Sequence, residues 1–143
     1  MNEHRWPFVR ALPLVAGLTV SAAAAQDKPH PLVGTWTWTR SPNACTEVYD
    51  FRPDGTAYIV SGAERTDNTY TVSAQPDARG FYKLVLKVVK DHGGKDCADQ
   101  DRDDTGQQNI DYVRFEPDLN SQVWCRKPNM ETCFGPLRRM APR

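Results

Sequence analysis

Between His92 and Gly106 the chain reads HGGKDCADQDRDDTG, which crowds Asp96, Asp99, Asp101, Asp103 and Asp104 around Cys97. Carboxylates at that density are the chemistry of a calcium loop, and Asp99, Asp101 and Asp103 supply the D-x-D-x-D opening of an EF-hand. Such a loop also needs glycine at its sixth position for a sharp turn and glutamate at its twelfth as a bidentate ligand. Here those positions hold Asp104 and Ile110. A looser calcium site of carboxylates and carbonyls stays open, but a solvated acidic loop is the expectation, with Lys95 and Arg102 offsetting the repulsion. Zinc calls for closely paired ligands such as C-x-x-C, and no two of Cys45, Cys97, Cys125 and Cys133 stand that close. Neither a metal nor a cofactor is expected.

Nucleophilic catalysis fares no better. His4, His30 and His92 are scattered, and none of Ser61, Ser73 and Ser121 stands in a G-x-S-x-G turn. No catalytic residue is assigned and no enzyme activity is expected, although a pair of carboxylates at working distance would leave no motif of its own. Glu47 is the acid to follow. In CTEVYDF it alternates in phase with Tyr49 and Phe51, on the apolar face of a strand, where an unpaired charge is costly. Arg40, in phase with Trp36 and Trp38 on the preceding strand, is its expected ion-pair partner.

These groups must be positioned by an exported domain. Residues 1–25 read as a cleaved signal peptide: Arg5 and Arg10, the apolar run ALPLVAGLTV, then small residues at Ala23 and Ala25. The apolar run falls short of the roughly 20 residues a spanning helix needs, so no membrane insertion of the mature chain is expected. Residues 26–143 are then a single domain, periplasmic or secreted. The whole chain carries 18 basic and 18 acidic residues, and residues 26–143 carry 16 and 17, a net charge of about −1. Nothing in that balance calls for nucleic acid as a partner. All four cysteines fall in the exported part, and an even number in an oxidising compartment predicts two disulfides.

From Gly34 onward the dominant period is two. GTWTWTR, CTEVYDF, TAYIVSG, NTYTVSA, FYKLVLKVV, NIDYVRF, SQVWCR and ETCFGP read as strands. RPDGT, RTDN, QPDARG, the acidic loop, EPDLN and KPNM read as the separators. Tyr58 with Val60, Tyr70 with Val72, and Tyr82 with Leu84, Leu86 and Val88 mark the apolar faces. About eight short strands without helical periodicity predict an all-β antiparallel sandwich or barrel.

VGTWTW resembles the G-x-W opening of lipocalin-like barrels, with Gly34 and Trp36 in the matching places. Together with YDFRPDGT, KDC, DDTG and CFGPLRR, it also resembles small exported bacterial proteins. The resemblance implies an up-and-down barrel or half-barrel of about eight strands, closed at one end by an arginine stacked on Trp36. Arg138 or Arg139 sits late enough to do this. Alternating strand directions would bring the connections after Arg40, Lys90 and Arg126 to the same rim, gathering all four cysteines there. Cys125 with Cys133 and Cys45 with Cys97 is one reachable pairing; Cys45 with Cys133 and Cys97 with Cys125 is another.

Two functions of different classes follow as expectations. The lipocalin resemblance implies a carrier of a small hydrophobic or aromatic ligand inside the barrel, lined by Trp38, Glu47, Tyr49, Tyr58, Tyr70, Tyr82 and Leu84. The alternative is a periplasmic protein-interaction module or enzyme inhibitor that offers the 91–109 loop to a protein partner. A barrel of eight strands is just wide enough to be filled by its own side chains or to hold one small ligand.

Overall fold

Threonine, valine and aromatic side chains alternating with polar ones favour extended backbone, and they extend it in eight places. The computed structural model describes residues 28–141; the proposed signal peptide at 1–25 lies outside the described residues. The strands are β1 (Gly34–Arg40), β2 (Cys45–Phe51), β3 (Thr56–Ser61), β4 (Glu64–Val72), β5 (Tyr82–Asp91), β6 (Gln108–Phe115), β7 (Ser121–Cys125) and β8 (Cys133–Arg139). Each pairs antiparallel with the next, and β8 returns to β1, so the sheet closes into an up-and-down barrel. Closure leaves no free sheet edge to recruit another chain.

Register decides which side chains fill the interior. On β1 and β2, Trp36 lies opposite Tyr49, Trp38 opposite Glu47 and Gly34 opposite Phe51. The turn through Pro53, Asp54 and Gly55 then sets Phe51 against Ala57 and Tyr49 against Ile59. Ala57, Ile59 and Ser61 therefore face inward, and Tyr58 and Val60 face outward, the reverse of the apolar face expected for this strand. TAYIVS carries apolar residues in both phases, so its pattern cannot choose a side; the register of the preceding turn does.

β4 also departs from expectation, because RTDN lies within the strand. Gly62 takes a positive φ of 59°, a conformation glycine adopts without steric cost, and only Gly62 and Ala63 separate Ser61 from its partner Glu64. A two-residue turn thus replaces the longer separator. It puts Thr66 and Asn68 inside, where both are buried.

One end of the barrel is plugged by the chain entering β1. Leu32 is fully buried there and its carbonyl accepts the Trp36 indole N–H at 2.8 Å. The Arg139 guanidinium lies 4.1 Å from the Trp36 ring centroid. It donates to the carbonyls of Val33 at 2.9 Å, Pro31 at 2.6 Å and Leu119 at 3.1 Å. Of the two candidate closure arginines, Arg139 performs the stacking, while Arg138 is exposed. Its contact with Trp36 contributes about 0.5–2 kcal/mol according to how far the cation is desolvated.

The opposite rim carries both disulfides, Cys45–Cys97 and Cys125–Cys133. The first pins the long β5–β6 connection to the start of β2. The second staples the β7–β8 hairpin, whose two cysteines are direct cross-strand partners. Two cross-linked pairs are consistent with an oxidising, exported environment.

Candidate binding site at the barrel mouth

Alternation along β2 aims Glu47 and Tyr49 into the barrel just below the disulfide rim. The Tyr49 hydroxyl donates to Glu47 Oε2, and the Ser61 hydroxyl donates to Glu47 Oε1 at 3.1 Å. Ser61 Oγ in turn accepts the backbone N–H of Cys97 at 3.0 Å. The acid is thereby wired, through one hydroxyl, to the disulfide-tethered loop above it. Burial and the neighbouring Glu47 carboxylate push the Tyr49 hydroxyl well above the usual phenol range, so Tyr49 stays a donor.

The expected ion pair with Arg40 does not form. Register places Trp38 directly opposite Glu47 and moves Arg40 one step further out, opposite Cys45. Among the described residues Glu47 has hydroxyl partners and no cation within ion-pair distance.

Four aromatic rings floor this acid in a continuous series. Trp38 and Phe134 lie with ring centroids 4.9 Å apart, Phe134 and Trp124 at 5.6 Å, and Trp124 and Tyr49 at 5.0 Å. Trp38 and Phe134 are partly exposed, whereas Trp124 is buried. Asp111 enters from β6, its Oδ1 lying 3.2 Å from Arg126 Nη1. Burial raises the Asp111 carboxyl above its ordinary range, and Arg126 draws it partly back.

Several buried polar atoms of the barrel interior lack partners, Trp124 Nε1 and Asp111 Oδ1 near this site and Asn68 Oδ1 in register with Ala57 on β3. Trp124 is 2% exposed, Asn68 3% and Asp111 5%; Trp124 Nε1, Asn68 Oδ1 and Asp111 Oδ1 have no hydrogen-bond partner among the described residues. For Asp111 the ion-pair distance is met but the geometry of a hydrogen bond is not. Leaving a buried donor or acceptor unpaired costs about 1–3 kcal/mol. Nearer the closed end, both amide atoms of Gln122 are likewise unpaired.

The seven residues expected to line a ligand cavity do not share one site. Trp38, Glu47 and Tyr49 meet at the mouth. Tyr70 packs on Phe51 at 4.9 Å and donates to the Arg52 carbonyl at the opposite end. Tyr82 lies 4.8 Å from His30 and 5.6 Å from Phe115, also towards the closed end. Leu84 is fully buried in the core. Tyr58 stands on the outer wall, where with Val33, Thr35, Val48, Val60 and Met140 it lines a groove of about 810 Å³. Asp111, Trp124, Phe134 and Ser61 belong to the mouth although sequence reasoning did not select them. Alternation carried the signal for one of them, since Asp111 shares the inward phase of Val113 and Phe115 in NIDYVRF.

The acidic loop uses its carboxylates on itself. Asp96 Oδ1 accepts the N–H groups of Ala98 and Gln100, each at 2.8 Å, and Asp103 accepts that of Thr105 at 2.9 Å. Asp91, at the end of β5, accepts those of Gly93 at 2.7 Å and Asp104 at 2.9 Å. Asp99 pairs with Lys95, and Asp104 with Arg102. Of the aspartates that suggested a calcium loop, Asp103 caps the turn at Thr105 and Asp99 holds Lys95.

The chain matches no known protein family, and no curated protein or solved structure resembles it at a significant level.

Proposed function

We propose that this is an exported, non-enzymatic, lipocalin-like barrel that binds a small aromatic molecule at its disulfide-bearing mouth. The observation that carries the reading is the pair of buried, inward-facing polar atoms without partners beside two partly exposed rings. Trp124 Nε1 and Asp111 Oδ1 would gain partners from a bound molecule, and Trp38 and Phe134 would give it apolar contact. Small-molecule sites combine these elements: an aromatic lining with a few convergent polar groups. The lower barrel is filled by Trp36, Phe51, Leu84, Val113 and Leu137, all essentially fully buried, so the reading confines the ligand to the upper part. Native mass spectrometry of protein purified from its own cell envelope tests it. A co-purifying small molecule that Trp38→Ala releases supports the reading; its retention in that variant counts against the mouth.

A second reading is favoured by the order of the 91–109 loop. Cys97 anchors it, the Lys95 carbonyl accepts the N–H groups of Ala63 and Glu64, and Asp99 projects into solvent. An ordered, exposed loop binds a protein partner with little entropy cost. Loss of a specific envelope partner from Asp99→Lys, with barrel stability unchanged, would favour this role over the first.

A further inference from the structure

We infer that the ligand of the mouth is a small organic cation: an aromatic amine that also carries one hydrogen-bond acceptor, such as a hydroxyl. This rests on the reading of the mouth as a binding site and adds the chemistry of its occupant.

The polar groups that face the mouth are mostly acceptors. Glu47 offers a carboxylate without a cation, its two oxygens oriented by Tyr49 and Ser61. Asp111, more than nine-tenths buried and in the inward phase of β6, adds a second carboxylate, its Oδ1 3.2 Å from Arg126. One donor, Trp124 Nε1, stands among them without a partner. An ammonium group supplies several N–H donors and a positive charge, which answers the acceptors; a hydroxyl oxygen on the same molecule answers the indole N–H.

The rings select in the same direction. A cation is attracted to the faces of Trp and Tyr by about 0.5–2 kcal/mol, most where water is excluded, and the series Trp38, Phe134, Trp124 and Tyr49 borders the acid. The guanidiniums near the rim do not reverse the balance: Arg65 donates to the carbonyls of Gly62 and Glu64, and Arg102 pairs with Asp104. Arg126 is paired with Asp111 and is 62% exposed. Arg40 stands opposite Cys45, beyond the Trp38–Glu47 pair. An anionic ligand would have to displace the Tyr49 and Ser61 hydroxyls from Glu47 and still meet its charge, so the mouth discriminates against it.

Three probes that differ only in one terminal group test this: phenylethanolamine, phenylethanediol and mandelate, which carry an ammonium, a hydroxyl and a carboxylate there. Each is titrated into the purified protein by calorimetry at low ionic strength. Phenylethanolamine should bind at least tenfold more tightly than the diol, mandelate should not bind measurably, and Glu47→Gln should weaken the amine at least tenfold and so narrow its preference over the diol. Equal affinity for the amine and the diol overturns the assignment of a cation yet leaves the mouth as a binding site. Preference for mandelate does the same. Failure of all three to bind overturns both. Because the probe series is read on the unaltered protein, the outcome stands even if Glu47→Gln does not fold.

Discussion

Gly34 and Arg139 compete for the same space: a β-carbon at Gly34 would lie 2.6 Å from Arg139 Nη1, and Gly34 already holds a φ of 128° that other residues rarely adopt. The glycine of the G-x-W opening is therefore required by the arginine as much as by its own backbone conformation. Gly34→Ala should destabilise the barrel by about 2 kcal/mol or more, and Arg139→Leu by about 3 kcal/mol through loss of the indole stack and its hydrogen bonds. The double variant should cost less than the sum, because removing the guanidinium relieves the clash. Strict additivity in urea unfolding would show that the two residues act independently.

The two disulfides should contribute unequally. Cys45–Cys97 joins residues 52 apart and Cys125–Cys133 residues 8 apart. In the chain-entropy description these closures are worth about 4 and about 2.5 kcal/mol. Replacing Cys45 and Cys97 by alanine should therefore lower Tm more than replacing Cys125 and Cys133. The reverse order would place the main effect in the hairpin and not in the tethered loop.

Acidification should stiffen the loop attachment. Glu64 sits beneath the loop, and burial, reinforced by Asp91, Asp96 and Asp104, pushes its carboxyl up to about 7 from 4.5. A carboxyl raised on folding binds its proton more tightly in the folded state. Its contribution is thus full below about pH 4.5, shrinks as pH rises, and is gone above about pH 7. Hydrogen exchange at the Ala63 amide, corrected for intrinsic rates, should slow between about pH 8 and about pH 5 in the wild type but not in Glu64→Gln. Identical profiles would remove Glu64 from the account.

Asp111 makes the opposite point about charge. Its carboxylate is buried while its partner Arg126 is largely exposed, so replacing the acid leaves a cation that water can solvate. Asp111→Asn should be neutral or stabilising by up to about 1 kcal/mol near neutral pH, and the gain should shrink on acidification as the wild-type carboxyl protonates. Destabilisation by more than about 2 kcal/mol would mean that the ion pair holds the mouth together.

The strand count, the barrel and the gathering of cysteines at one rim were legible because alternation and turn chemistry are local. Glu47 and Tyr49 were legible for the same reason, as two in-phase residues on a clearly patterned strand. Tyr58 was not, because β3 is apolar in both phases and its facing is set by the register inherited from β2. The Arg40 expectation failed on the same ground, since it required knowing which residue lies across from Glu47. Trp124 and Phe134 reach the mouth through strands broken by a register shift between β7 and β8, which local patterning does not reveal.

The central claim, that a small aromatic amine binds at the mouth, is tested most directly by the indole N–H resonances in a nitrogen-labelled sample titrated with phenylethanolamine. Trp124 Nε1 has no partner among the described residues and Trp38 borders Glu47, whereas Trp36 Nε1 is held by the Leu32 carbonyl at the closed end. The account predicts saturable shifts of the Trp124 and Trp38 signals with Trp36 unmoved. Shifts confined to Trp36, or none at saturating amine, would contradict it.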